Sequence, residues 1–206
     1  MKFDYTQVFN FEGALRGMRN PMNSWIKSDT ELKWEYGDIP KVIIGPNDMN
    51  LAKRLIAGGT EHRKFLRQIM VSVDITAPRY WWSEFDTYKV GTTANSTSTM
   101  HKLASTPITL DCFETDDFDV NITDPKELIE ALELLRVAYN ETKDKRYWKE
   151  LIRWLPNGWL QTRTVTMNYE NLRSMYHQRE HHKLTEWHSF CDWVETLPYA
   201  QELIID

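Results

Sequence analysis

The sequence predicts an α+β fold, and three observations carry that reading. From Ile69 to Thr76 the chain alternates with a period of two: Ile69, Val71, Val73 and Ile75 interleave with Met70, Ser72, Asp74 and Thr76. That pattern marks a strand with one buried face. Beyond residue 124, apolar positions recur at helical spacing in several successive segments. No repeat, low-complexity tract or linker rich in proline, glycine and serine divides the chain, so its 206 residues are read as one domain, 1–206.

The elements follow in order. Residues 11–19 form a short helix, stopped near Asn20-Pro21. A segment rich in turn residues comes next, with Gly37, Pro40, Gly45-Pro46 and Asn47-Asp48. Asn47 or Asp48 caps a helix carrying Leu51, Leu55 and Ile56, which Gly58-Gly59 closes. The alternating strand ends at Ala77-Pro78, where RYWWSEFD begins a short helix. Residues 91–99, GTTANSTST, are small and polar and read as a loop. Its hydroxyls and reachable N–H groups suit an anion, and an ordinary surface loop has the same composition. Asp124-Pro125-Lys126-Glu127 is a helix start, with Asp124 as cap and Glu127 completing a capping box. Leu128, Ile129, Leu132, Leu135 and Ala138 supply its apolar face. Arg146 to Trp154 reads as a second helix, Trp159 to Gln178 as a longer one, and Leu184 to Thr196 as the last, stopped by Pro198.

Composition narrows the function classes. With 41% hydrophobic and 27% charged residues the chain is globular and large enough to need no disulfide or metal staple. A net charge of -5 argues against a duplex nucleic-acid surface, which needs clustered cations, but leaves room for a basic pocket that takes one phosphate. No run of about 18 apolar residues predicts a membrane span, and Met1-Lys2-Phe3-Asp4-Tyr5 has no apolar signal core, so a cytoplasmic protein is expected. Cys112 and Cys191 make a poor disulfide framework. His177 and His181 stand at i,i+4 but lack an HExxH pattern, and no metal is expected. The 9 Trp, 9 Tyr and 8 Phe fit large core side chains, or platforms for stacking a flat ligand.

The candidate site residues begin with Asn168 and Arg179. They lie eleven positions apart, close to three helical turns, so on one helix both side chains leave the same face. An amide and a rigid guanidinium fork on one line can fix a planar polar ligand. The plainer reading pairs the arginine with an acid such as Glu180 or Glu186.

Residues 155–179, LPNGWLQTRTVTMNYENLRSMYHQR, resemble the flavin-dependent thymidylate synthases: their Leu-Pro, a helix with an Asn, and the Arg that contacts the pyrimidine. Pro156, Asn168 and Arg179 fall at that family's spacing. His62 and the strand before Ala77-Pro78 are similar to the family's His, strand and Ala-Pro segment, and ALRGMR (14–19) to its first Ala-x-Arg-x-x-Arg helix. The signature R-H-R-x-x-S-x-N-E-x-S-x-R-Y is altered. Arg-His-Arg is Thr87-Tyr88-Lys89, one residue is inserted near Thr92-Thr93, Asn95 and Ser98 match, the acidic position is Ser96, and the later Arg is Met100. Arg153 sits one position later than the family would place it.

The resemblance implies an antiparallel sheet with flanking helices and an enzyme assembled as a homotetramer. It implies FAD as cofactor, with NADPH and methylenetetrahydrofolate as co-substrates, and transfer of one carbon and a hydride to a pyrimidine deoxynucleotide, dUMP to dTMP or a variant. Arg179 would be catalytic and substrate-binding. His62, Tyr88, Lys89 and Asn168 would hold the flavin, and Asn95, Ser98 and Arg153 would bind the nucleotide. The lost cations give the alternative: a non-catalytic descendant that keeps the scaffold for nucleotide binding or assembly.

Overall fold

A computed structural model describes residues 1–33 and 41–206. The turn residues Gly37 and Pro40 lie outside the described residues. The fold is α+β. Its main sheet has four strands in the order β1 (Lys2–Phe9), β4 (Met70–Pro78), β6 (Leu160–Asn168), β5 (Thr93–Ser96), and it is antiparallel. A separate two-stranded antiparallel sheet pairs β2 (Glu31–Lys33) with β3 (Lys41–Ile43), Leu32 opposite Val42. The helices are α1 (Phe11–Met18), α2 (Pro46–Ala57), α3 (Arg79–Phe85), the one-turn α4 (Thr99–Lys102), α5 (Lys126–Thr142), α6 (Lys145–Trp154), α7 (Tyr169–Arg179) and α8 (Thr185–Glu195). Among the described residues no helix is long and apolar enough to cross a membrane.

The chain folds into two compact units. One comprises Met1–Lys2, Asp74–Thr87 and Asn95–Thr164; the other Phe3–Val73, Tyr88–Ala94 and Val165–Asp206. In the first unit the α5–α6 hairpin closes on Leu103, Ile108, Leu132, Leu151 and Leu155, and all five are buried. Trp81, Trp82 and Phe85 of α3 form a second buried group, with the Trp81 and Trp82 rings edge to face at 4.9 Å. In the second unit α7, α8 and the C-terminal turn pack Tyr169, Leu172, Met175, Trp187, Phe190 and Leu203 into its core. Phe3 stacks on Trp193 at 5.0 Å there. The largest aromatic side chains of both units thus contribute to their cores, while Tyr5, Phe9, Trp25, Phe118, Tyr147 and Trp154 stay exposed.

Several expectations need correction. Residues Trp159 to Gln178 are not one helix: Leu160–Asn168 is strand β6, and α7 starts at Tyr169. The reason is local, since Thr162, Thr164, Val165 and Thr166 are β-branched and stiff at χ1. The 91–99 segment is likewise not all loop, because Thr93–Ser96 pairs onto the sheet edge as β5. Strand β1 has no counterpart in the sequence reading. It is mostly exposed and so lacks the alternation that betrays a buried face. At the start of α5, Pro125 is the cap residue, while Asp124 Oδ1 accepts from the Lys126 N–H at 3.0 Å.

Asp48 does not cap α2. It is fully buried and accepts from Arg19 Nε at 2.5 Å, Ser28 Oγ at 2.7 Å and Thr30 Oγ1 at 2.6 Å. The Asp29 and Thr30 backbone N–H groups also donate to it. Arg19 is itself buried, so the ion pair ties the end of α1 to α2 and to the strand entering β2.

Candidate functional site

Helix α7 positions the main candidates. Asn168 stands at its N-cap with an extended backbone, φ −125° and ψ 168°, and its Oδ1 accepts from the Asn171 N–H at 3.0 Å. Asn171 returns the bond, its Oδ1 accepting from the Asn168 N–H. This reciprocal cap satisfies two donors that a helix start leaves without intrahelical partners. Asn168 is thus buried at the head of the helix rather than within it, so helical periodicity does not set its direction. Its Oδ1 is committed to the cap, and its amide NH2 is the part left to donate to a ligand.

Arg179 is the last residue of α7, about 16 Å further along the axis at 1.5 Å per residue. Its guanidinium lies 4.6 Å from the centre of the buried Trp187 ring and 5.5 Å from that of Tyr88. Nε donates to the Tyr88 hydroxyl at 2.8 Å. Tyr88 in turn donates to Gln178 Oε1 at 3.0 Å. A cation held between two rings and a hydroxyl is fixed in plane and tilt. Such a group can stabilise negative charge that develops on a planar partner.

The 88–91 segment runs beside this helix. At its other end the Val90 carbonyl accepts from Asn171 Nδ2 at 2.7 Å, and Gly91 takes a left-handed φ of 78°. A Cβ on Gly91 would come within 2.9 Å of Asn171 Oδ1 and 3.0 Å of Asn168 Nδ2. Gly91→Ala is expected to cost about 1–2 kcal/mol from the backbone alone, with displacement of the Asn168–Asn171 cap in addition. Gly59 separates the two terms: it also has a positive φ, of 91°, but open space around its Cβ. Urea midpoints should therefore fall further for Gly91→Ala than for Gly59→Ala, and equal shifts would refute the clash.

Lys89 is exposed and has no ion pair among the described residues. His62 is exposed at the turn after α2, its ring against Gly58. It lines a cavity of about 470 Å³ with Gly17, Met18, Leu51, Leu55, Phe65 and Gln68. The Lys64–Gln68 turn that forms one wall packs against both α1 and α7.

The other candidates belong to the first unit. Asn95 is exposed on β5. Ser98 is half-buried and lines a cavity of about 350 Å³ with Thr97, Thr99, Lys102, Cys112 and Trp159. The Ser98 carbonyl accepts from the Lys102 N–H, which starts the one-turn α4. Arg153 points elsewhere: on the exposed face of α6 it pairs with Glu150, one turn away. The structure therefore brings Tyr88 to Arg179, sets Asn168 at the head of the same helix, and ties Arg153 into a surface pair.

Sequence reasoning missed Trp187, Gln178 and Asn171. Asn171 had a signal, an amide three residues after the capping Asn168. Gln178 had none, because its role depends on Tyr88, ninety positions away, and Trp187 had none, because its contact with Arg179 crosses from one helix to the next.

No family model matches the chain, and no curated protein matches it. Among solved structures, the flavin-dependent thymidylate synthase ThyX from Helicobacter pylori, complexed with FAD and dUMP, superimposes with a TM-score of 0.73 at 16% identity. The match covers 99% of this chain and 98% of that one. A second structure of Helicobacter pylori ThyX with FAD and dUMP gives a TM-score of 0.73 at 17% identity, covering 99% and 97%. The fold is that of ThyX. The ThyX-like fold extends over essentially the whole chain, including both compact units.

Proposed function

We propose that this chain is a divergent thymidylate synthase-like enzyme of the flavin-dependent type, acting on a pyrimidine deoxynucleotide such as dUMP. The observation that carries the reading is Arg179, fixed between Tyr88 and Trp187 at the end of α7 in a ThyX-like fold. Bound FAD, reduced by NADPH, would supply the hydride, and methylenetetrahydrofolate the one-carbon unit.

The chemistry of the residues beside His62 supports the ring system of such a cofactor. The cavity beside His62 is within the volume range of small-molecule sites, with apolar walls from Met18, Leu51, Leu55 and Phe65 and polar groups at His62, Gln68 and the Glu61–Lys64 pair. That mixture suits a flat ring with a polar edge. His62 and the Asn168 amide would hold the cofactor, and Lys89 would neutralise phosphate charge. Tyr88 has its hydroxyl between Arg179 and Gln178, so only its ring is open to the cofactor role the resemblance gives it. Arg179 binds the pyrimidine and stabilises the charge on its carbonyl oxygen. Asn95 and Ser98 bind the nucleotide's polar groups; Lys102, at the same cavity as Ser98, stands in for the cation lost at Met100. Arg153 takes part only if Glu150 releases it. The homotetramer and the cytoplasmic location belong to the same reading.

The test is direct. FAD fluorescence should be quenched saturably on titration with the protein, and dUMP should then perturb the flavin's visible spectrum. A colourless protein that takes up no FAD and gives no response to dUMP refutes the enzyme. The Arg153–Glu150 pair favours a second reading, a non-catalytic scaffold for nucleotide binding or assembly. That reading expects nucleotide binding with no flavin uptake.

A further inference from the structure

We propose that Tyr88 is a positioning residue that sets the orientation of Arg179 through its hydroxyl. The proposal rests on the reading of Arg179 given above, and it gives Tyr88 a task beyond the cofactor contact that the resemblance implies.

The hydrogen-bond sense is forced. Arginine has no acceptor, so the Tyr88 oxygen must accept the Nε–H at 2.8 Å. The Tyr88 proton is then left to donate to Gln178 Oε1 at 3.0 Å. With its oxygen so engaged, Gln178 donates through Nε2 to Ser174 Oγ at 3.0 Å, one turn back along α7. The result is a directed chain, Arg179 to Tyr88 to Gln178, and Gln178 to Ser174. It holds the tyrosine hydroxyl at one point relative to the helix. The aromatic faces add the remaining restraint. The guanidinium lies over the Trp187 ring, and the Tyr88 ring meets Trp187 edge to face at 6.1 Å. A bond at Nε and a ring against the plane both restrain where the terminal Nη edge points. That edge is the part of an arginine that forms two parallel bonds to a planar acceptor. A misdirected fork still carries its charge, so losing Tyr88 should impair alignment in the transition state more than nucleotide binding.

Tyr88→Phe keeps the ring and removes the acceptor. The expected result in dUMP-dependent turnover is a fall in kcat of about tenfold or more, with KM for dUMP within about threefold. Tyr88→His restores an acceptor as neutral imidazole. It should recover much of kcat at pH 8 and lose it below about pH 6.5, as the ring protonates. That acid limb should be absent from the wild-type protein, and a merely structural role for Tyr88 would not create it. An independent readout needs no turnover. With arginine-selective ¹⁵N labelling, the Nε–H signal that disappears in Arg179→Lys should exchange slowly with water in the wild type. In Tyr88→Phe it should exchange as fast as that of an exposed arginine.

A Tyr88→Phe variant with unchanged kcat and an unchanged Arg179 Nε–H signal overturns the proposal. So does a Tyr88→His variant without the acid limb. A wild-type protein with no turnover overturns the functional reading alone, and the Nε–H signal then decides the role of Tyr88 by itself.

Discussion

Replacing Arg179 by alanine is expected to lower dUMP-dependent flavin oxidation by about 10²–10³-fold, the usual effect of removing a preorganised group that meets developing charge. The fold should survive. Arg179 is half-buried at a helix end, and Trp187 keeps its other ring neighbours, Phe190 and His182. Arg179→Lys should fall close to the alanine variant, because lysine keeps the charge but has neither the fork nor the Nε–H that meets Tyr88. Stopped-flow absorbance of the reduced flavin measures both. Turnover within twofold of wild type in Arg179→Ala would remove this residue from the chemistry.

The largest expected effect on stability comes from Asp48→Asn. Removing one partner of a buried ion pair leaves the other charge uncompensated, at a cost of about 3–5 kcal/mol. For a chain of this length that corresponds to a drop in melting temperature of about 10 °C. The carboxylate also links stability to pH. Burial pushes the Asp48 carboxyl up, but hydrogen bonds from Thr30, Ser28 and Arg19, with the charge of Arg19, outweigh it and hold it below the ordinary range. A group depressed in the folded state contributes fully above its unfolded pKa of about 3.9. The contribution is lost as pH falls through the lower folded value. Wild type should therefore lose stability below about pH 4 more steeply than Asp48→Asn. Parallel melting curves from pH 7 to pH 3 would contradict this role for Asp48.

How much of this was legible in the sequence depended on burial. Strand β4 was readable because Val71, Val73 and Ile75 are buried while the residues between them are not. Helix α6 was readable from its strong amphipathic pattern and the stop at Leu155-Pro156. Strand β1 was not, because Lys2–Phe9 keeps most of its side chains exposed and carries no periodicity. Strand β6 merged with α7 because no proline or glycine separates them, and Asn168 caps through a polar bond that hydrophobic spacing does not register. At the site, the spacing of Asn168 and Arg179 reads as one helical face, whereas Asn168 caps α7 and Arg179 is its last residue. It gave no hint that Tyr88, ninety-one positions from Arg179, would be its partner. The same limit hid Arg19 and Asp48, whose value lies in burial that each residue's polarity argues against.

The attachment of residues 88–91 to both ends of α7 constrains how this stretch can diverge. Tyr88 is fastened near the last turn of the helix and Val90 near its first. Two peptide units join Tyr88 to Val90, so removing one residue would detach an end. The Val90 fastening uses a backbone carbonyl and so places no demand on its side chain, whereas the Tyr88 fastening needs a hydroxyl.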